Sequence, residues 1–265
     1  MDVTKTSSND KVAMTLEDHT HNIQEEFDEF PDKENLRPIV IPKSLNRNIV
    51  ISLEGNIGAG KSTFLRVLKS YFGEENIEFI PEPVHYWTNC NGQNLLDAFY
   101  SDSKRYAYMF QSFALVTRLM EQAKPQKKLI RILERSGLSD HCFAENCHAA
   151  GLMNEIEYAA YETWYKYLIT QMPGGPNGLV YLRTSPEVCY KRMEKRSRQE
   201  ESAVPLDYLK QIHQRHETWL PSTTKKDKVC QLPFVTLNGD LEFETSDVNQ
   251  KILIQAVLNL IDQLH

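Results

Sequence analysis

Gly55-Asn56-Ile57-Gly58-Ala59-Gly60-Lys61-Ser62, followed by Thr63, decides the fold. The octapeptide fits G-x-x-x-x-G-K-[ST], a loop that cradles phosphates. It follows an apolar run, Ile49–Leu53, and precedes a segment with helical spacing, residues 61–72. That strand–loop–helix context is the one the motif requires. Glycines let the backbone turn and aim its N–H groups inward, and the following helix N-terminus adds partial positive charge. Lys61 is placed to reach the outer phosphates, and the Ser62 hydroxyl is a magnesium ligand by type. A glycine-rich turn with no ligand is the plain alternative, and the placement argues against it. The motif therefore predicts a site for a nucleoside triphosphate.

Four more short runs are rich in Ile, Val, Leu or Phe: Ile77–Ile80, Leu129–Leu133, Leu179–Leu182 and Phe234–Leu237. Segments with helical spacing separate them, at about 92–101, 105–123, 154–171, 186–199, 205–219 and 247–263. The alternation predicts an α/β fold, a five-stranded parallel sheet covered by helices on both faces. Ligands in such sheets bind outside the carboxyl ends of the strands. Two acids fall there. Glu82, between Pro81 and Pro83, follows the second run, and Glu134, beside Arg135, follows the third. The prolines hold Glu82 extended and fix its direction. A carboxylate near a phosphate loop can take a proton from an attacking hydroxyl, and a second can bind magnesium. Arg135 can keep Glu82 charged or stabilise a transferred phosphoryl group. Arg192, Arg196 and Arg198 form a cationic cluster after the fourth run. Alone it reads as a solvated helix face; beside a phosphate loop it reads as a lid.

Composition limits the alternatives. The 265 residues are 41% apolar and 25% charged, within the soluble globular range. No run of 18 apolar residues offers a membrane span. A net charge of −6 is the wrong sign for a generic nucleic-acid binder. Five cysteines without a CxxC pair point to reduced thiols. Residues 1–46 hold ten acids against five Lys/Arg and read as a disordered acidic tail, leaving 47–265 as the folded domain. A transit peptide would be Arg-rich and acid-poor, so the tail favours a cytoplasmic or nuclear setting over a mitochondrial one. The triplet Lys33-Glu34-Asn35 has the form of a degradation signal, with a chance match as the plain reading.

These pieces together resemble the deoxyribonucleoside kinases. The blocks that carry the likeness are EGNIGAGKST (54–63), PEPVHYW (81–87), NLLDAFY (94–100), FQSFALVTR (110–118), ERSGLSD (134–140), YLRTSPEV (181–188) and RSRQEESAVPLDYL (196–209). The resemblance implies a P-loop kinase fold with an Arg-rich lid. It also implies ATP- and magnesium-dependent transfer of a γ-phosphoryl group to a deoxynucleoside 5′-hydroxyl, in a homodimer built through the 105–123 and 154–171 helices. Carried over, Glu82 is the general base with Arg135 beside it, and Ser62 and Glu134 belong to the magnesium site. Tyr100 and Glu201 hold the sugar 3′-hydroxyl, and Gln111 pairs with the base. Trp87, Phe99, Phe110, Ala114 and Phe143 line the base site. Asn238-Gly239-Asp240-Leu241-Glu242-Phe243 is similar to the family's loop over the nucleotide adenine, with Asp240, Glu242 and Phe243 as its contacts.

Arg118 and Asp140 bear on the choice of base. Gln111, Ala114 and Arg118 share one helix face by spacing. Members acting on deoxycytidine or purine deoxynucleosides carry Arg and Asp at these places, so the expectation is preference for those substrates over thymidine. An ionised Asp accepts from an exocyclic amine, and a buried Arg is its charge partner. Between Asp140 and Phe143 the chain is one residue shorter than the family pattern, and His141 stands where an Arg is usual. Two other classes fit a phosphate loop: a regulatory nucleotide switch, which needs neither Glu82 nor Gln111, and a nucleoside-monophosphate kinase.

Overall fold

Each of the five apolar runs is a strand. β1 (Ile49–Glu54), β2 (Ile77–Ile80), β3 (Ile130–Glu134), β4 (Gly178–Arg183) and β5 (Phe234–Asn238) form one sheet in the order β2-β3-β1-β4-β5. Every pairing is parallel. β1 and β3 are buried at every position, as strands covered on both faces must be. The edge strands β2 and β5 are half-buried. The computed structural model describes residues 47–73, 75, 77–202, 204–220 and 232–265. The tail expected over 1–46, with its Lys33-Glu34-Asn35 triplet, lies outside the described residues.

The helices are α1 (Lys61–Phe72), α2 (Val84–Thr88), α3 (Leu95–Ser101), α4 (Ser103–Gln122), α5 (Gly137–Ala149), α6 (Glu155–Gln171), α7 (Pro186–Arg196), α8 (Leu206–Trp219) and α9 (Asp247–Leu264). Their ends follow local chemistry. Asp102 caps α4 through Arg105 N, so the helix starts earlier than its apolar spacing suggests. Asn154 and Glu157 form a capping box on α6. α7 stops at Arg196 because Ser197 is left-handed, φ 52°. Phe64, Leu65 and Leu68 bury one face of α1. Burying each such side chain stabilises by about 1.5–3 kcal/mol.

Two helices lie outside the sequence expectation. α2 is a single short turn after Pro83. α5 has no apolar stripe, because Leu138, Ser139, Asp140, Cys142, Ala144, Asn146 and Cys147 bury it on several sides. A helix surrounded by protein carries no one-sided period. The sheet order brings the exits of β2, β3, β1 and β4 side by side, and the site is built there. Among the described residues, no helix is long and apolar enough to cross a membrane, and the four described cysteines are free.

Candidate active site

The loop between β1 and α1 takes the shape its glycines allow. Gly58 has φ 73°, and a Cβ there would stand 2.3 Å from the Cys189 carbonyl oxygen. Asn56 donates to Leu209 O at 2.8 Å and accepts from Ile57 N, fixing the loop against α8. Gly55 packs against Leu182, and Ala59 is fully buried. Ile57, Gly58, Gly60, Lys61, Ser62 and Thr63 border a cavity of about 720 Å³, within the range of small-molecule sites. Lys61 is buried and donates to Asn56 O at 2.7 Å and Gly55 O at 3.2 Å. Burial, then the neighbouring Arg135, lowers its pKa to about 7. An anion in the cavity would restore its charge. The Ser62 hydroxyl donates to Glu134 Oε1 at 2.6 Å.

The same cavity continues to the exits of β2 and β3. Glu82 lies 3.0 Å from Arg118 Nη2 and 3.1 Å from Arg135 Nε. Burial alone would raise its pKa, but Arg118, Arg135 and Lys61 together hold it down at about 2. Arg135 has φ 64°, a left-handed conformation uncommon for a side chain of this size. It is buried, and its Nη1 has no hydrogen-bond partner among the described residues. A buried, unpartnered guanidinium nitrogen is a ready donor for an anion.

The residues expected around the base border the same cavity. Gln111, Ala114 and Arg118 lie on the buried face of α4. Arg118 Nε donates to Asp140 Oδ2 at 2.9 Å. Burial pushes the Asp140 carboxyl up to about 6 against the pull of Arg118, so it is ionised at neutral pH. Phe99 and Phe110 stack with centroids 4.7 Å apart, and Trp87 meets Phe110 edge-on at 5.6 Å. Trp87 also donates to Thr117 Oγ1 and lies under the Arg118 guanidinium. Asp140 and Phe143 are three apart on α5, and both line the cavity. Arg135 stands over the Phe143 ring at 4.8 Å. Gln111 Nε2 is 3.6 Å from Cys147 Sγ.

At the opposite end, Arg192 donates to Ala59 O at 3.0 Å, Gly239 O at 2.7 Å and Leu241 O at 3.1 Å. It ties the phosphate loop to the loop after β5. Phe243 lies beneath that guanidinium, against Gly60 and Phe64. Arg196 and Arg198 both pair with Glu201 in this structure. Tyr100 borders the cavity with Glu201, and burial together with that carboxylate pushes its hydroxyl well above the ordinary phenol value. Two expected contacts point elsewhere. Asp240 accepts from Ser185 N and Oγ, outside the cavity lining. Glu242 borders the cavity, but its carboxylate accepts from Glu244 N and Thr245, closing its own turn.

The family model "Deoxynucleoside kinase" matches residues 51–262. The chain belongs to the deoxynucleoside kinase family. It is 35% identical over 239 residues to deoxycytidine kinase 2 of Gallus gallus, covering 80% of this chain and 89% of the relative. It is 37% identical over 191 residues to mitochondrial thymidine kinase 2 of Homo sapiens, covering 72% and 68%. Mitochondrial deoxyguanosine kinase of Xenopus laevis is 34% identical over 222 residues, covering 74% and 83%.

This deoxynucleoside kinase also lines its cavity with residues the sequence reading passed over: Leu96, Lys195, Tyr208 and the Arg66–Glu244 pair. Leu96 and Tyr208 sit inside quoted blocks, so the signal was present. Arg66 follows Ser62 by one helical turn, a spacing that would have flagged it. The protein is an enzyme that uses a nucleoside triphosphate donor to phosphorylate a deoxynucleoside.

Proposed function

We propose that this kinase uses ATP and magnesium and favours deoxycytidine or purine deoxynucleosides over thymidine. One observation carries the reading: Glu82, Lys61, Arg135, Gln111 and Asp140 all line one continuous cavity. The 5′-oxygen attacks the γ-phosphorus while the bond to the β-phosphate oxygen breaks, and ADP leaves. Glu82 receives the hydroxyl proton. A carboxylate held near pKa 2 is a weak base. A loose phosphoryl-transfer transition state asks for little early proton abstraction, so orientation by a fixed anion suffices until the proton moves late. Arg135 and Lys61 supply positive charge where the phosphoryl group passes.

Ser62 and Glu134 fit magnesium. A hydroxyl and a carboxylate oxygen in contact are the hard donors this ion takes, and its remaining ligands come from phosphate and water. Among the described residues no group of three or more His, Cys, Asp or Glu forms a cage, which suits an ion shared with a phosphate. When bound, magnesium supplies charge neutralisation at the phosphates. Arg196 and Arg198 belong to a lid that trades Glu201 for phosphate, leaving Glu201 and Tyr100 for the sugar.

The base preference rests on the buried Arg118–Asp140 pair, whose carboxylate accepts from an exocyclic amine. Labelled transfer from ATP to each of the four deoxynucleosides tests it, and thymidine as the best substrate would overturn it. Arg118→Met with Asp140→Ala should move preference toward thymidine. Exposed Met109, Val116 and Met120 on α4, with Ile156, Trp164 and Tyr167 on α6, support a homodimer through these packed helices. A monomer in sedimentation equilibrium would refute it.

A further inference from the structure

Glu54, the last residue of β1, is fully buried, and among the described residues no cation pairs with it. Its Oε1 accepts three hydrogen bonds: from Ser52 Oγ at 2.5 Å, Ser136 N at 3.1 Å and Ser136 Oγ at 2.9 Å. Its Oε2 has no hydrogen-bond partner among the described residues. Burying a carboxylate against neutral donors is costly, and an apolar residue would serve packing alone better. The bonds it makes run to one place. Ser136 directly follows Arg135, whose backbone is left-handed at φ 64°. A non-glycine residue stays there only when its surroundings hold it. Two anchors do so: Arg135 N donates to Leu53 O at 3.0 Å, and the next residue is pinned by main chain and side chain to Glu54.

We infer that Glu54 is a positioning residue, whose carboxylate fixes Ser136 and thereby the left-handed turn that aims Arg135 at Glu82. The effect extends to both sides of the turn. Glu134, which meets Ser62, precedes Arg135, and the phosphate loop begins at Gly55, immediately after Glu54. One buried carboxylate thus registers the phosphate loop against the residues that leave β3. The inference rests on the role proposed above for Arg135 at Glu82.

The test is a double-mutant cycle on the full chain with the preferred deoxynucleoside, reading kcat and KM separately. If Glu54 acts through Arg135, Glu54→Ala lowers kcat about tenfold or more, and KM for the deoxynucleoside stays within about threefold. On an Arg135→Ala background the same change then costs no more than about twofold, because the group it positions is already gone. Wild-type kcat in Glu54→Ala, with Arg135→Ala impaired, overturns the inference alone. A full tenfold loss repeated on the Arg135→Ala background also overturns it, since the role is then merely structural. Wild-type kcat in Arg135→Ala overturns the underlying reading and the inference with it. Should Glu54→Ala fail to fold, Ser136→Ala goes through the same cycle; it removes one of the two bonds from Ser136 to Glu54, so kcat should fall about threefold in the wild type and stay unchanged on the Arg135→Ala background, and an equal loss on both backgrounds, or none on either, overturns the inference.

Discussion

The Nε of Arg118 lies 2.9 Å from Asp140, and the same guanidinium reaches Glu82 at 3.0 Å through Nη2. One cation therefore serves two carboxylates that line the same cavity. The Arg118 and Asp140 side chains are 5% and 3% exposed, so neither charge has water to fall back on. Arg118→Met should lose about 3–5 kcal/mol of stability, the range for removing one partner of a buried pair. Arg118→Met with Asp140→Ala removes the stranded charge and should recover much of that loss. Urea unfolding of both variants checks it; a double variant less stable than the single would defeat the argument.

The base-reading role proposed for Asp140 predicts that base choice depends on pH. Burial raises its pKa to about 6, so it is a pure acceptor above that value and gains a proton below it. An exocyclic amine needs the acceptor; thymine does not present that group. The ratio of kcat/KM for deoxycytidine over thymidine should fall as pH drops through 6. Taking the ratio cancels the titration of the donor triphosphate and of Glu82, which both substrates share. Competition assays at pH 7.5 and 5.5 measure it directly, and a ratio independent of pH would contradict the assignment.

His216 makes stability itself depend on pH. Its ring is fully buried, with Nδ1 2.8 Å from Ile212 O and Tyr181 stacked against it. Burial, then the charge of Arg135, lowers its pKa to about 3. The unfolded chain takes up this proton near pH 6.5 while the folded chain does not, so the contribution is complete above 6.5 and is lost as pH falls toward 3. The loss runs at about 1.4 kcal/mol per pH unit. Between pH 6.5 and 5.0, His216→Phe should gain about 2 kcal/mol on the wild type, because it lacks the titrating group. Denaturant unfolding at the two pH values gives this difference, and comparing the two proteins removes the opposing contribution of Asp140. A constant gap would show that the ring is not held neutral by burial.

The residues legible in the sequence were those whose place follows from local order. Lys61 and Ser62 lie inside a loop motif, and Glu82, Glu134 and Arg135 follow short apolar runs. Strand ends in a parallel sheet converge, so position along the chain gave position in space. What escaped was long-range or enclosed. α5 went unassigned because protein surrounds it, and with it went the geometry of Asp140 and Phe143. The bond from Arg118 to Glu82 joins residues 36 apart that no spacing relates. Ser136 was visible only as part of a block, since its role depends on a buried acceptor 82 positions earlier. Asp240 and Glu242 have the residue type for nucleotide contacts, yet the Glu242 carboxylate caps its own turn, as acidic side chains in turns commonly do, and Asp240 bonds Ser185, 55 positions earlier.

Arg192 shows the same limit, and it carries a prediction. By sequence it belongs to a lid; in the structure its guanidinium bonds three backbone carbonyls, those of Ala59, Gly239 and Leu241, and covers Phe243. Hydrogen bonds from a charged donor are worth about 1.5–3 kcal/mol each in favourable cases. Their joint effect here is to hold the loop after β5 against Gly60, where Phe243 closes the cavity wall. Arg192→Ala should therefore lower stability by about 2–4 kcal/mol, less than the sum because the three bonds share one side chain. It should also raise KM for ATP more than KM for the deoxynucleoside, since Gln111, Arg118 and Asp140, proposed to meet the acceptor, are untouched. Arg192→Lys should recover little, because an ammonium cannot span three carbonyls in fork geometry. Thermal melting with steady-state kinetics in both substrates tests this. A variant whose KM rises only for the deoxynucleoside would place Arg192 at the other end of the cavity.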